Sequence, residues 1–492
     1  MDSIQKNETV SGVIWKFLER TGAYLLSFIV SVVLARILSP DEFGYIAIVM
    51  IVISFCDVLV ESGLGTALVQ KKDADSLDFS TVTIFSLFFS IVLFGIVFLC
   101  TPLLETMEKF NGLGIYIRVM AVRIIFSGYN SVQNAYIIRS MKFRKNFIVS
   151  IVSTAASAVI GIFMAYNGYG LWALVAQYLT NSIISTVVLT FISGLKFKLK
   201  FSFQRLKTIY KFAFSLLLGG LVDVFYNELK AIVIGFKYDT DDLAYYNRAN
   251  SIPTLAGNSI NGALDNVIFS VMSKNQSNIS ELKKILSNFI SVSTFIVMPV
   301  FVGIALLSED IILLLYTERW AECIPYMTFI AISFIFIPIN NGNLSAFKAL
   351  GKSKLLLELN LIKKGIYTVI LLIAMNFGVY WIAFASIPIN ITAIIVNGFP
   401  SKKYLNYSLW EQIRDIMPTV LPCLIMAAGV FAVGLIEMNF YLSIIIKVFT
   451  GVILFSVFSL IFRIKGCKIL LGLIKSYFSK KKSAKESIDK EI

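Results

Sequence analysis

Arg123 stands inside an otherwise apolar run, and Asp57 and Glu61 stand four positions apart in another, which puts both carboxylates on one face if that run is helical. On insertion scales an ionised side chain at the centre of a membrane-spanning helix costs about 2.5–3.5 kcal/mol, so such groups belong against a wet cavity or a partner. Arg20, Arg118 and Arg248 sit in similar surroundings, as do Asp223, Glu228, Lys230, Asp265 and the pair Lys363 and Lys364. Arginine presents a planar fork that matches phosphate oxygens. Arg20, Arg123 and Arg248, with Arg118 behind them, are therefore candidates for neutralising a phosphorylated cargo inside a bilayer. The plainer alternative pairs each arginine with an internal carboxylate, Arg123 with Asp57 or Glu61 for example, while Arg20 snorkels inward and Arg118 outward. Asp57, Glu61, Asp223 and Asp265 have a second use, binding a proton or Na⁺ that couples transport to an ion gradient. Asn247, Asn258, Asn261 and Asn266 form a polar stripe suited to a hydrated cavity or to interhelical hydrogen bonds, and Asn261 joins the cargo-binding candidates.

Other chemistries are poorly served. The chain has no histidine, which removes the usual general base and the usual metal ligand together, so an enzyme is not expected. Cys56, Cys100, Cys323, Cys423 and Cys467 lack CxxC spacing and suggest neither a zinc site nor a disulfide framework. No cofactor is implied beyond the coupled proton or Na⁺.

These charges need helices to hold them. Of the 492 residues 57% are hydrophobic and 15% charged, against about 25% charged in soluble domains. Apolar runs long enough to span a hydrocarbon core recur throughout. They predict helices at about 13–37, 43–68, 79–104, 112–139, 147–166, 170–193, 207–236, 243–271, 281–307, 323–349, 354–376, 379–400, 412–436 and 440–463, about fourteen in all. The first run is too long and too late for a signal peptide. Alternate loops separate by charge. One set carries Lys71 and Lys72, Arg139 to Lys145, Lys196 to Lys207, Lys274 to Lys284, Lys352 and Lys354, Lys402 and Lys403, and Lys480 to Lys482; the other is short and acidic or neutral. The positive-inside rule places the first set and both termini in the cytoplasm, so the net charge of +14 reads as topology. Nucleic acid is not an expected partner; anionic lipid is, above all for the basic tail.

The chain also repeats itself. Pro40-Asp41-Glu42-Phe43-Gly44-Tyr45 returns 200 positions later as Thr240-Asp241-Asp242-Leu243-Ala244-Tyr245, and Asn167 with Trp172 returns 209 positions later as Asn376 with Trp381. Two six-helix lobes in the same orientation follow, 1–200 and 201–403, with two additional helices in 404–466 and a basic tail in 467–492.

The segments LARILSPDEFGYIAI (34–48), GYGLWALVAQYL (168–179), VIGFKYDTDDLAYYNRA (233–249), Trp320 with Pro325, and ALGKS (349–353), in this order, resemble the Wzx-like polysaccharide-transport proteins, flippases for lipid-linked oligosaccharides in the superfamily that also holds the multidrug extruders. The resemblance covers about residues 10–400. It implies an undecaprenyl-diphosphate-linked glycan carried by alternating access across the bacterial cytoplasmic membrane, with polymerase or glycosyltransferase machinery as further partners. Lys230 departs from the pattern, since many relatives carry an acidic residue there. A cation-coupled multidrug antiporter shares the architecture but favours an acidic cavity, against which the internal arginines argue. A membrane polymerase or ligase would ordinarily carry a sizeable outer loop, and the longest here has about fifteen residues.

Overall fold

The computed structural model describes residues 22–61, 63–195, 200–472 and 475, and among them there is no strand. The chain is an all-α polytopic membrane protein. Its described residues form two compact units, one ending at Tyr245 and the other beginning at Tyr246.

The first unit opens with α1 (Gly22–Ile37) and α2 (Pro40–Glu61). The acidic turn between them is a helix start: Pro40 supplies a preset φ, Asp41 and Glu42 lie against the positive end of the helix dipole, and Glu42 Oε2 accepts from the Ser39 amide at 2.7 Å. The expected single helix at 43–68 is broken. Gly63 has φ of 93° and separates α2 from α3 (Leu64–Gln70), because the backbone of a neighbouring helix leaves no room for a side chain there. A Cβ at Gly63 would lie 2.2 Å from the Ala213 carbonyl oxygen. Then follow α4 (Ser76–Glu105), started by a capping box between Asp75 and Asp78, α5 (Gly114–Arg139), α6 (Phe143–Tyr166), α7 (Leu171–Ser193) and the 35-residue α8 (Phe203–Lys237), to which Ala213 belongs.

The unit boundary falls inside α9 (Thr240–Lys274), whose first turn again carries two acids, Asp241 and Asp242. The second unit continues with α10 (Ile279–Leu306), α11 (Ser308–Tyr316), α12 (Cys323–Phe334), α13 (Ile337–Ala349), α14 (Ser353–Ala374), α15 (Val379–Phe384), α16 (Ser386–Gly398), α17 (Ser401–Leu405), α18 (Leu409–Gly434) and α19 (Phe440–Ile461). The expected helix at 323–349 is the pair α12 and α13, bent by 40°.

Among the described residues nine helical segments are long and apolar enough to cross a membrane, and the bent pair makes a tenth. The remaining four expected positions are occupied by α1, α5, α9 and α14, which brings the number to fourteen. Of these α5, α9 and α14 are long but less apolar, and they carry Arg118 and Arg123, Arg248, and Lys363 and Lys364 respectively.

Both sequence echoes repeat a structural role. The acidic doublets open α2 and α9, and within the first unit the two starts touch: Thr240 Oγ1 donates to Asp41 Oδ1 at 3.4 Å. Asn167 and Asn376 each close a helix by donating from Nδ2 to the carbonyl four residues back, Phe163 at 2.7 Å and Leu372 at 2.8 Å.

Candidate functional site

In the first unit α2 packs against α5, and this contact brings two of the predicted charges together. Arg123 Nη2 lies 3.2 Å from Asp57 Oδ2, Ser127 Oγ donates to Asp57 Oδ1 at 2.7 Å, and Arg123 Nη1 reaches the Met50 sulfur at 3.7 Å. The helical repeat makes this set: Arg123 and Ser127 are four apart on α5, while Met50 and Asp57 are seven apart on α2, so each pair shares a face. The two side chains of the ion pair remain 25% and 15% exposed. Solvent or a ligand can therefore reach a charge pair seated in an apolar helix bundle.

Glu61, on the same face as Asp57, ends α2 as an exposed residue, and its backbone carbonyl accepts from Ser131 Oγ at 3.3 Å. Asp223 is exposed on α8. Arg118, one turn nearer the start of α5, makes no ion pair with a described residue; its guanidinium stacks on Phe98 of α4 at 5.2 Å from the ring centroid.

In the second unit Arg248 is held between aromatic rings, 5.8 Å from the Tyr316 centroid and 5.7 Å from that of Trp320. Both rings are fully buried, and the Tyr316 hydroxyl is 3.3 Å from Ser251 Oγ, which donates to the Arg248 carbonyl at 2.7 Å. Aromatic faces hold a guanidinium plane while leaving its edge for hydrogen bonding. Asn261 and Asp265 lie on α9, but their side chains are outside those described, and Arg20 falls outside the described residues altogether.

Sequence reasoning missed two polar centres of the second unit. Lys447 Nζ on α19 meets Asp310 of α11 at 2.8 Å, an ion pair that ties the last helix to the bundle. Asn343 Nδ2 donates to Gln412 Oε1 at 2.8 Å and Ser401 Oγ donates to Asn343 Oδ1 at 2.6 Å, all three residues being fully buried. Asn340 and Asn343, three apart in an apolar stretch, were the available signal for that network. On the other side of the question, Arg139 and Arg205 do more than mark topology. Arg139 Nη2 donates to the Lys72 carbonyl at 2.6 Å beyond the end of α3, and Arg205 Nη1 lies 2.8 Å from Asp75 and 3.3 Å from the buried Asp78.

A model of the family described as polysaccharide biosynthesis protein matches residues 33–325. The chain belongs to that family. Among curated relatives it is 25% identical over 319 residues to the succinoglycan biosynthesis transport protein ExoT of Rhizobium meliloti, spanning 65% of each chain. It is 20% identical over 348 residues to the lipopolysaccharide biosynthesis protein WzxC of Escherichia coli, covering 70% of this chain and 71% of that one. Among solved structures, an inward closed conformation of the lipid II flippase MurJ superposes with a TM-score of 0.74 at 16% identity, covering 92% of this chain and 99% of the other. This member of the family therefore has the MurJ-like transporter fold.

Proposed function

We propose that the chain flips an undecaprenyl-diphosphate-linked oligosaccharide from the cytoplasmic to the outer leaflet of the bacterial cytoplasmic membrane, by alternating access, for cell-surface polysaccharide assembly. The observation that carries this reading is the part-exposed pair of Arg123 and Asp57. A pair open to solvent exchanges partners at lower cost than a sealed one, and a diphosphate is a stronger match for a guanidinium than a carboxylate is. When Arg123 turns to the cargo, Asp57 loses its cation, and an inbound proton or Na⁺ restores the balance of charge. Glu61, Asp223 and Asp265 are further acceptors for that ion, and Arg20, Arg248 and Asn261 further contacts for the cargo. The relatives named for succinoglycan transport and lipopolysaccharide biosynthesis support a glycan precursor as cargo. On this reading both termini lie in the cytoplasm, following the positive-inside rule, and polymerase or glycosyltransferase assemblies are the natural suppliers and consumers of such a lipid.

The test is flipping of a fluorescent undecaprenyl-diphosphate glycan by the full chain in liposomes. Arg123→Ala and Arg248→Ala are each expected to slow flipping by more than about tenfold, the scale of losing one charge-assisted hydrogen bond to the cargo phosphate. Wild-type rates in both variants, with folding intact, would remove these arginines from the mechanism. Export of an organic cation by a wild-type protein that flips no glycan would overturn the reading itself.

A further inference from the structure

Arg118 presents a different situation from Arg123. It lies four residues into α5, about 6 Å along the axis from the helix start. Glu105, at the end of α4, is committed elsewhere: its Oε1 accepts from the Gly114 amide at 3.0 Å and so caps α5. Among the described residues Arg118 Nε is buried without a hydrogen-bond partner, and no carboxylate pairs with the guanidinium. The ring beneath it, Phe98, is 44% exposed, and it continues into an apolar rim with Leu99 at 76% and Leu103 at 69%. On the α5 side Ile115 is 56% exposed.

A guanidinium stacked on a ring has its face covered and its edge available, the geometry that suits a phosphate. An unmatched charge beside apolar surface is costly, and a bound phosphate supplies the counter-charge. The rim around it is shaped for acyl chains, which free phosphate does not have. We propose that Arg118 and Phe98, with Leu99, Leu103 and Ile115 around them, form a binding site for an anionic phospholipid on the α4–α5 face of the first unit. The phosphate takes the guanidinium edge and the acyl chains lie along the rim. The site is separate from the Arg123 pair: it uses a resident lipid of the membrane and not the cargo.

Native mass spectrometry of the full chain in detergent, titrated with dioleoylphosphatidylglycerol and with dioleoylglycerol, tests this. Dioleoylglycerol has the same chains and lacks the phosphate. Wild type is expected to bind the phosphatidylglycerol at least about tenfold more tightly than Arg118→Gln, the value of one charge-assisted hydrogen bond. Arg118→Lys keeps part of the affinity, Phe98→Leu loses a smaller part, and dioleoylglycerol binds weakly and equally to all. Equal phosphatidylglycerol binding by wild type and a folded Arg118→Gln overturns the site; so does dioleoylglycerol binding as tight as phosphatidylglycerol. Tighter binding of undecaprenyl diphosphate, lost in Arg118→Gln, reassigns the arginine to cargo and overturns the phospholipid assignment. If Arg118→Gln does not fold, Arg118→Lys and Phe98→Leu give the same decision. No transport is measured, so failure of the flippase reading and failure of this site are separate results.

Discussion

A single carboxylate shows how charges that mark topology also build local structure. Asp75, ahead of α4, accepts from the amides of Leu77 at 3.0 Å and Asp78 at 2.9 Å. Its carboxyl is held below the usual carboxylate range, chiefly by the Asp78 amide and then by the Arg205 guanidinium. A carboxyl with a lowered folded value contributes stability above its unfolded value, near pH 4, and loses it as the pH falls through the folded value. Asp75→Asn is therefore expected to melt below wild type at neutral pH, with the gap closing in acid below about pH 4; a gap that is constant with pH would show that ionisation plays no part. The sequence disclosed Asp57, Arg123 and Arg248 as charges that an apolar run must shelter, because their cost is local. It did not disclose which carboxylate Arg123 chooses, since both Asp57 and Glu61 share a face and only the packing of α2 on α5 separates them. Nor did it disclose that Glu105 turns back to cap α5, so that among the described side chains no carboxylate pairs with Arg118.

Element boundaries follow from close approaches that no periodicity records. The apolar pattern of residues 43–68 continues unbroken through Gly63, yet the helix stops there because α8 runs its backbone against it. Gly63→Ala must relieve both a positive φ and a 2.2 Å approach to the Ala213 carbonyl oxygen, and should cost about 1–3 kcal/mol in thermal or denaturant unfolding. Gly95→Ala, in mid-helix with nothing within 4 Å of the added methyl, is the control and should be neutral or stabilising by up to about 1 kcal/mol. Equal unfolding of both variants would mean that α8 yields at this contact. The helix starts, by contrast, were legible: Pro40-Asp41-Glu42 and its echo at Thr240 open α2 and α9, because capping and dipole chemistry sit in adjacent residues.

For the whole molecule, the alternation of basic and acidic loops sets a topology that labelling can read. In a Cys100→Ser background, which removes the exposed native thiol, Lys142→Cys in the α5–α6 turn should resist a membrane-impermeant maleimide applied to intact cells. Gly168→Cys in the α6–α7 turn should react within minutes; the reverse pattern would invert the molecule. Fourteen helical positions were readable because apolar length is a property of sequence alone, whereas the division of the described residues at Tyr245 and Tyr246, inside α9, depends on packing. The weaker apolarity of α5, α9 and α14 also bears on how the chain is made. A helix with arginine, lysine and asparagine along one side partitions poorly into lipid by itself when it leaves the translocon. The first of them, α5, follows and packs against the strongly apolar α4. Membrane entry of α5 is thus expected to be a cooperative event during synthesis, in which α4, already seated in the bilayer, receives the polar face of the next helix.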